Sequence, residues 1–485
     1  MTIKEDTYRT RTWNNEWFYS IVIDRFHDGK SRIASSNNGI GFGTAEELRQ
    51  ICGGKFCGIT LKLPYLKSLG CTAILLTPFL ENNPQVYHGY AIQDFLKVDE
   101  RFGTLEDLQN LVAEAHALDM RVVMDVVLNH TGNNWSYKKT NTPYRKGKSY
   151  AFSHWHNDDK PQPAFFRNEK LYSKKGYILN WDDYPETWDG DLYELKDLVW
   201  TDDKKGHLLL NAMVDIYLYW VKTIGVDGFR LDALKHIRPP MAELFCLRIK
   251  EETTKMGFAH FLLLGEVVGD LNLINSYKGL DAYYNFPFYF KWNESLTIGN
   301  SMDAFSFEYT NDLLPLNFLD NHDQIGLEPK RRIAKVLSDE AILLHVFLMG
   351  LLPGISCLYY GTEQGLEDSG VKDHDIRSCM FDMYSDADLF NEKHDLYLKM
   401  KSTIAFVKSI KNAINRIEFV SLSETTQMIK CYNVNNECTY VMHYIEGAAM
   451  ELENALPADA LLFFISGKKS KDFQSTDFEF KVYNY

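Results

Sequence analysis

The alternation of apolar and polar positions divides the chain into short apolar runs and longer stretches with a helical period. Eight runs predict strands, at residues 17–24, 72–77, 121–127, 228–231, 261–264, 281–284, 316–318 and 355–360. Consecutive apolar positions, rather than strict alternation, are what a strand covered on both faces requires. The clearest helical pattern opens at Thr104, where Thr104 and Asp107 suit a capping box and Leu108, Leu111, Val112 and Ala115 mark one apolar face. Further helices are predicted over 333–349 and 392–410. Alternating strand and helix imply a parallel sheet, and eight strands predict an α/β fold of the closed (β/α)8 TIM-barrel kind. An open doubly wound sheet is the other solution, but no GxGxxG loop follows an early strand.

Two regions interrupt the alternation. Residues 131–206 carry many Asp, Asn, Trp, Tyr and Lys without a helical period, too long a stretch for a simple loop. They predict a small domain inserted after the third strand, leaving 1–130 and 207–410 for the barrel. Beyond 410 the pattern turns to short alternating runs, such as 439–444 and 461–465, which predict a C-terminal antiparallel β domain over 411–485, built as a β-sandwich.

The polar residues that close these strands carry the chemistry. DVVLNH (125–130), GFRLDALKH (228–236), GEVV (265–268) and FLDNHD (318–323) each follow an apolar run with Asp, Glu, Arg, Asn or His. A lone Asp at a strand end is ordinarily a structural ion pair. Four such segments in one chain point instead to strands converging on one site. Residues i and i+2 of a strand share a face, so Arg230 and Asp232 point the same way, and an adjacent guanidinium favours an ionised carboxylate. Glu266 ends an almost wholly apolar strand, where desolvation raises a carboxyl pKa and retains its proton. Two carboxyls with acidities pushed apart are what glycoside hydrolysis uses, about 5–5.5 Å apart when configuration is retained.

Composition narrows the partners. With 485 residues the chain is large enough for several cores, and a net charge of −14 argues against nucleic acid but not against a neutral sugar. The eight Cys are scattered; Cys52 and Cys57 flank a GGKF loop, but no second pair completes a zinc pattern, so free thiols are expected. The first residues have no apolar h-region and no stretch is long enough to span a bilayer, so a cytoplasmic protein without membrane partners is expected.

In order and spacing, the four segments together with GCTAILLTP (70–78) and GLLPGISCLYYGTE (350–363) resemble those of the α-amylase family, glycoside hydrolase family 13. The resemblance covers roughly 17–410. It implies that Asp232 is the nucleophile, Glu266 the acid/base and Asp323 a third carboxylate gripping sugar hydroxyls. It further implies that Arg230 orients the nucleophile, that His130 and His322 bind the sugar at the cleavage point, and that Tyr90, with His88 beside it, forms a stacking platform. LDALKH resembles enzymes acting on α-1,4 bonds, with Lys235 and His236 on the leaving-group side. The stretch 359–382 is similar to cyclomaltodextrinases and neopullulanases, implying that Asp375 and Arg377 hold the sugar behind the cleavage point.

The resemblance also implies a structural Ca²⁺ on Asn129, the His236 carbonyl and Asp197, the last from the stretch 194–198; Asp182, Asp183 and Asp202 are further acidic candidates. Asp24 and Asp28 could hold an ion, although a strand-end turn also explains them. No organic cofactor is implied. The substrate is expected to be a maltooligosaccharide or related α-glucan. An α-glucan transglycosylase, or a cyclomaltodextrinase- or α-glucosidase-like enzyme, shares the same residues. An inactive sugar-binding relative would be expected to lack one of the three carboxylates.

Overall fold

A computed structural model describes residues 7–35, 39–298 and 313–414, Asn435, and the backbone of the C-terminal strands 416–421, 426–432, 438–445, 462–469 and 476–483. Eight parallel strands close into a barrel, each followed along the chain by a helix. In chain order these are β1 (Trp17–Ile21), α1 (Phe56–Leu69), β2 (Ala73–Leu76), α2 (Leu105–Ala117), β3 (Arg121–Val127), α3 (Lys204–Ile224), β4 (Gly228–Asp232) and α4 (Pro239–Lys255). The second half runs β5 (Leu262–Gly265), α5 (Leu271–Ser276), β6 (Ala282–Tyr284), α6 (Phe286–Ile298), β7 (Leu314–Phe318), α7 (Asp339–Leu351), β8 (Ile355–Tyr359) and α8 (Asp395–Lys411). β1 pairs with both β2 and β8, which closes the ring. All eight strands coincide with apolar runs expected from the sequence.

The apolar runs reflect two cores. Phe18, Leu75, Val123, Leu264, Leu316 and Ile355 fill the inside of the barrel, while Ile74, Val122, Phe229 and Leu263 face outward under the helices. A strand pressed between both layers has no wet face to alternate with. The helix starts follow local chemistry. Thr104 and Asp107 form the capping box at α2, and Asp203 accepts from Lys205 N and Gly206 N to start α3. Helix α7 begins at Asp339, capped by Ser338, rather than at 333; residues Ile333–Lys335 form a separate 3₁₀ turn.

The inserted segment carries small antiparallel pairings, Trp135–Tyr137 with Phe152–Trp155 and His130–Thr131 with Lys196–Asp197. Its core is aromatic, with the Trp135 ring against Tyr137, Phe152 and Tyr172. The pairing of Asp197 with His130 brings the far end of the insertion back to the end of β3. The C-terminal strands form one five-stranded sheet, rather than the two layers of the expected sandwich, among the described residues. Its pairings are antiparallel except between 438–445 and 462–469, which run parallel.

Candidate active site

The register of three neighbouring strands builds the centre of the site. Arg230 on β4 lies opposite Asp125 on β3, and Leu231 lies opposite Gly265 on β5. One residue further along, Asp232 and Glu266 therefore emerge side by side at the C-terminal mouth of the barrel. Arg230 serves all three carboxyls. Its Nη1 donates to both oxygens of Asp125 at 2.9 Å and to Asp232 Oδ1 at 2.5 Å, and its Nη2 contacts Glu266 Oε1. Ala233, in the left-handed region at φ 48°, turns its N–H onto Glu266 Oε2 at 2.9 Å.

Burial sets the acidities. It raises the carboxyls of Asp232 to about 6, Glu266 to about 7 and Asp125 to about 8, with Arg230 opposing the shift in each. Arg230 favours the ionised form of Asp232, as its place on the same strand face implies, but desolvation outweighs the ion pair. The Asp232 and Asp323 charges add to the rise at Glu266, and the Asp323 charge adds to that at Asp232. Asp323 moves the other way. Burial is opposed by His322 Nε2 at 3.0 Å and Arg377 Nη2 at 2.8 Å, which hold its carboxyl well below the usual range.

The other predicted residues fall into two groups. Tyr90, on the excursion after β2, donates its hydroxyl to Asp125 Oδ2 at 2.8 Å and lies 2.8 Å from His322 Nε2; the two rings are stacked 5.8 Å apart. His88 accepts from the Tyr90 N–H, and burial lowers its pKa to about 3. Both histidines thus frame the Tyr90 ring. His130, by contrast, is 1% exposed with Nε2 on the Tyr90 carbonyl, so it supports the platform from behind. Arg377 donates to Asp323, to the His322 carbonyl and to the Tyr87 hydroxyl. Asp375 does not join it: its Oδ2 accepts from the Val371 and Lys372 N–H groups. Asp373 takes that place, 3.1 Å from Lys330 Nζ and 3.7 Å from Arg377 Nη2.

On the side of the insertion, Lys235 pairs with the exposed Asp182, and His236 Nδ1 lies 2.8 Å from the Thr187 carbonyl with the Trp181 ring edge-on to it. Tyr193, at φ 58° and 78% exposed, packs on Trp181 with ring centroids 5.3 Å apart, within the field of Asp373 and Asp323. Sequence reasoning passed over Asp125, Tyr87, Asp373 and Tyr193. Asp125 alone had a legible signal, since it sits on the same strand face as Asn129.

The residues implied for calcium do meet. Asn129 Nδ2 lies 3.0 Å from Asp197 Oδ1 and 3.1 Å from the His236 carbonyl. Asp197 is 1% exposed and has no ion-pair partner among the described residues; burial and the Asp191 charge push its carboxyl well above the usual range. Among the described residues no cluster of three or more His, Cys, Asp or Glu is placed to hold a metal, so any such site depends on amide and carbonyl oxygens. Asp24 accepts from the Cys52 and Gly53 N–H groups, Asp28 pairs with Arg32 and Asp202 pairs with His207, so these are structural.

A (β/α)8 barrel delivering paired carboxyls and an aromatic platform to its C-terminal mouth defines the protein as a glycoside hydrolase. The family described as alpha amylase, catalytic domain, matches residues 20–395, and the chain belongs to the α-amylase family, glycoside hydrolase family 13. It is 29% identical over 421 residues to an alpha-amylase of Saccharomycopsis fibuligera, a match covering 83% of this chain and 74% of that protein. It is 27% identical over 409 residues to the cyclomaltodextrin glucanotransferase of Klebsiella oxytoca, covering 74% and 59%. The crystal structure of the Geobacillus thermoleovorans alpha-amylase complexed with acarbose superposes with a TM-score of 0.67 at 25% identity, covering 98% of this chain and 99% of that one. Relatives of these kinds act on α-glucans by hydrolysis or glycosyl transfer. No helix among the described residues is long and apolar enough to cross a membrane.

Proposed function

We propose that the protein hydrolyses α-1,4 bonds of short maltooligosaccharides with retention of configuration. Asp232 is the nucleophile and Glu266 the acid/base. The observation that carries this reading is the single guanidinium of Arg230 held between the two carboxyls. One fork spanning both suits a pair close enough for direct attack, whereas an inverting pair needs about 6.5–9.5 Å to admit a water. Glu266 donates its proton to the leaving oxygen as Asp232 attacks the anomeric carbon. The deprotonated Glu266 then takes a proton from the water that releases the sugar. Asp323, kept ionised by His322 and Arg377, accepts hydroxyl donors of the ring being distorted. Tyr90 offers that ring an apolar face. Proton NMR of the first product tests the mechanism, and the α-anomer is expected; the β-anomer would overturn it.

The preference for short chains rests on Arg377 and Asp373, which with Lys330 form a polar block beside Asp323. Maltotriose is expected to be cleaved at least as fast per bond as soluble starch. Arg377→Ala should raise KM for maltotriose about tenfold, roughly 1.4 kcal/mol, with less effect on long chains that have other contacts. Rapid loss of iodine staining with few new reducing ends would show internal cutting instead. The packing of the exposed Tyr193 on the half-buried Trp181 favours a second reading, transfer to a sugar acceptor held on the leaving-group side. Products longer than maltotriose in the same assay would establish it.

Calcium is proposed as a structural ion. Rotating the Asn129 amide so that its oxygen takes the place of Nδ2 would bring together three hard oxygens, from Asn129, the His236 carbonyl and the buried Asp197, which has no counter-charge among the described residues. The ion would tie the insertion to the ends of β3 and β4 and supply positive charge there. Chelation is therefore expected to lower the melting temperature by several degrees, and Asp197→Asn to abolish that chelator response. An unchanged melting curve would remove the ion from the proposal.

A further inference from the structure

Behind Asp323, on the far side of Tyr87, lies a second reactive cluster that the hydrolytic mechanism does not use. Arg25 is wholly buried, and its Nη1 contacts Cys52 Sγ and lies 3.8 Å from Cys379 Sγ. Both thiols thus converge on one nitrogen, and they share one buried cluster with Leu48 and Phe381. The rest of the guanidinium is fixed: Nη2 donates to the Leu48 and Gln50 carbonyls at 2.6 and 3.0 Å. The nearest carboxylate, Asp24, sits 3.5 Å from Nε and is already taken by the Cys52 and Gly53 N–H groups. Asp24 thus counters the guanidinium from the Nε side, while Nη1 faces sulfur, where a positive charge favours a thiolate. The Cys379 contact and the Arg25 charge lower the Cys52 thiol against the opposing effect of burial, while burial pushes the Cys379 thiol up. Cys379 is 0% exposed, but Cys52 reaches 9% and follows the exposed Gln50 and Ile51, which gives a small oxidant a route in.

We propose that Cys52 and Cys379 are a redox-active pair that a hydroperoxide converts to a disulfide, linking the loop before α1 to the segment that carries Arg377. The Cys52 thiolate attacks one peroxide oxygen; the O–O bond breaks, the other oxygen leaves as an alcohol or water, and Cys52 becomes a sulfenic acid. The Cys379 sulfur then attacks Cys52 Sγ and loses its proton as the S–O bond breaks and water departs. Both sulfurs are oxidised and the peroxide is reduced, and a dithiol reverses the change by exchange.

The bond would reach the active site along a short path. The Arg25 guanidinium lies over the Tyr87 ring at 3.9 Å, Tyr87 accepts from Arg377 Nη1 at 3.2 Å, and Arg377 holds Asp323. The segment is also pinned in place, because Cys379 pairs through both backbone groups with Phe42 and the Met380 N–H donates to the Arg25 carbonyl. Oxidation withdraws the thiolate from Arg25 and pulls on the residue two positions after Arg377. The expected result is a several-fold rise in KM for maltotriose, an effect that rests on the role proposed for Asp323.

The test uses the full chain with Cys57→Ser, which removes an exposed thiol outside the site. Hydrogen peroxide is expected to cost the protein two hydrogens in intact mass, reversibly with dithiothreitol. Peptide mapping should then join Cys52 to Cys379. With Cys379→Ser added, Cys52 should instead be labelled by dimedone as a sulfenic acid. Unchanged mass, or oxidation elsewhere with both thiols free, overturns the proposal. If Cys379→Ser fails to fold, Cys379→Ala serves for the same labelling. A disulfide that forms without moving KM overturns the coupling to Asp323. Because the cross-link is read by mass, its outcome stands apart from whether the hydrolytic assignment is right.

Discussion

Replacing Asp232 with Asn should lower turnover on maltotriose by about 10⁴-fold, roughly 5.5 kcal/mol of transition-state stabilisation, while the fold persists. The substitution is nearly isosteric, and Arg230 keeps its two bonds to Asp125, so the guanidinium stays placed. What disappears is the anionic oxygen that attacks the sugar, and no neighbour can replace it. Asp125 faces Arg230 and Tyr90 rather than the sugar, and Asp323 is fixed by His322 and Arg377. Single-turnover kinetics with circular dichroism as a control decide the matter. A folded variant retaining a tenth of the activity would move the nucleophile elsewhere.

Glu266→Gln should cost about 10³-fold on maltotriose but far less on a glucoside whose leaving group departs without a proton. The acid limb of the pH profile should fall near 6, where Asp232 takes up a proton. The alkaline limb should fall near 7, where Glu266 loses the one it must donate. Activity thus requires the ionised form of the first and the neutral form of the second, and the variant should keep the acid limb alone. An alkaline limb unchanged in Glu266→Gln would assign the acid to another group.

The barrel was legible because each of its strands is pressed between two apolar layers, leaving runs such as 121–127 that no other element needs. Helix α7 starts six residues later than the apolar period suggests, because the 3₁₀ turn Ile333–Lys335 and the Val336 and Leu337 that follow it imitate a helix face until Ser338 caps the real start. Within the site, Asp232 and Glu266 could be read from strand ends, where period-two geometry fixes direction. Asp375 could not, since it lies in a short 3₁₀ turn where spacing from Arg377 says nothing about facing; there Asp373 reaches the guanidinium. Asp125 went unassigned because its partner is on the neighbouring strand, a relation set by register. Tyr193 depends on a left-handed backbone angle that no residue pattern announces.

The filled interior of the barrel has one more consequence. With Phe18, Leu75, Val123 and Leu264 packed beneath them, the three carboxyls around Arg230 rest on an apolar floor under the mouth. A sugar chain lying across that opening acts as a stopper. The longer the chain, the drier the chamber under it and the stronger every charge interaction inside it becomes. Proton affinities in this site are therefore a property of the enzyme together with whatever plugs it, and the same three side chains titrate differently under glucose-sized and chain-length cargo.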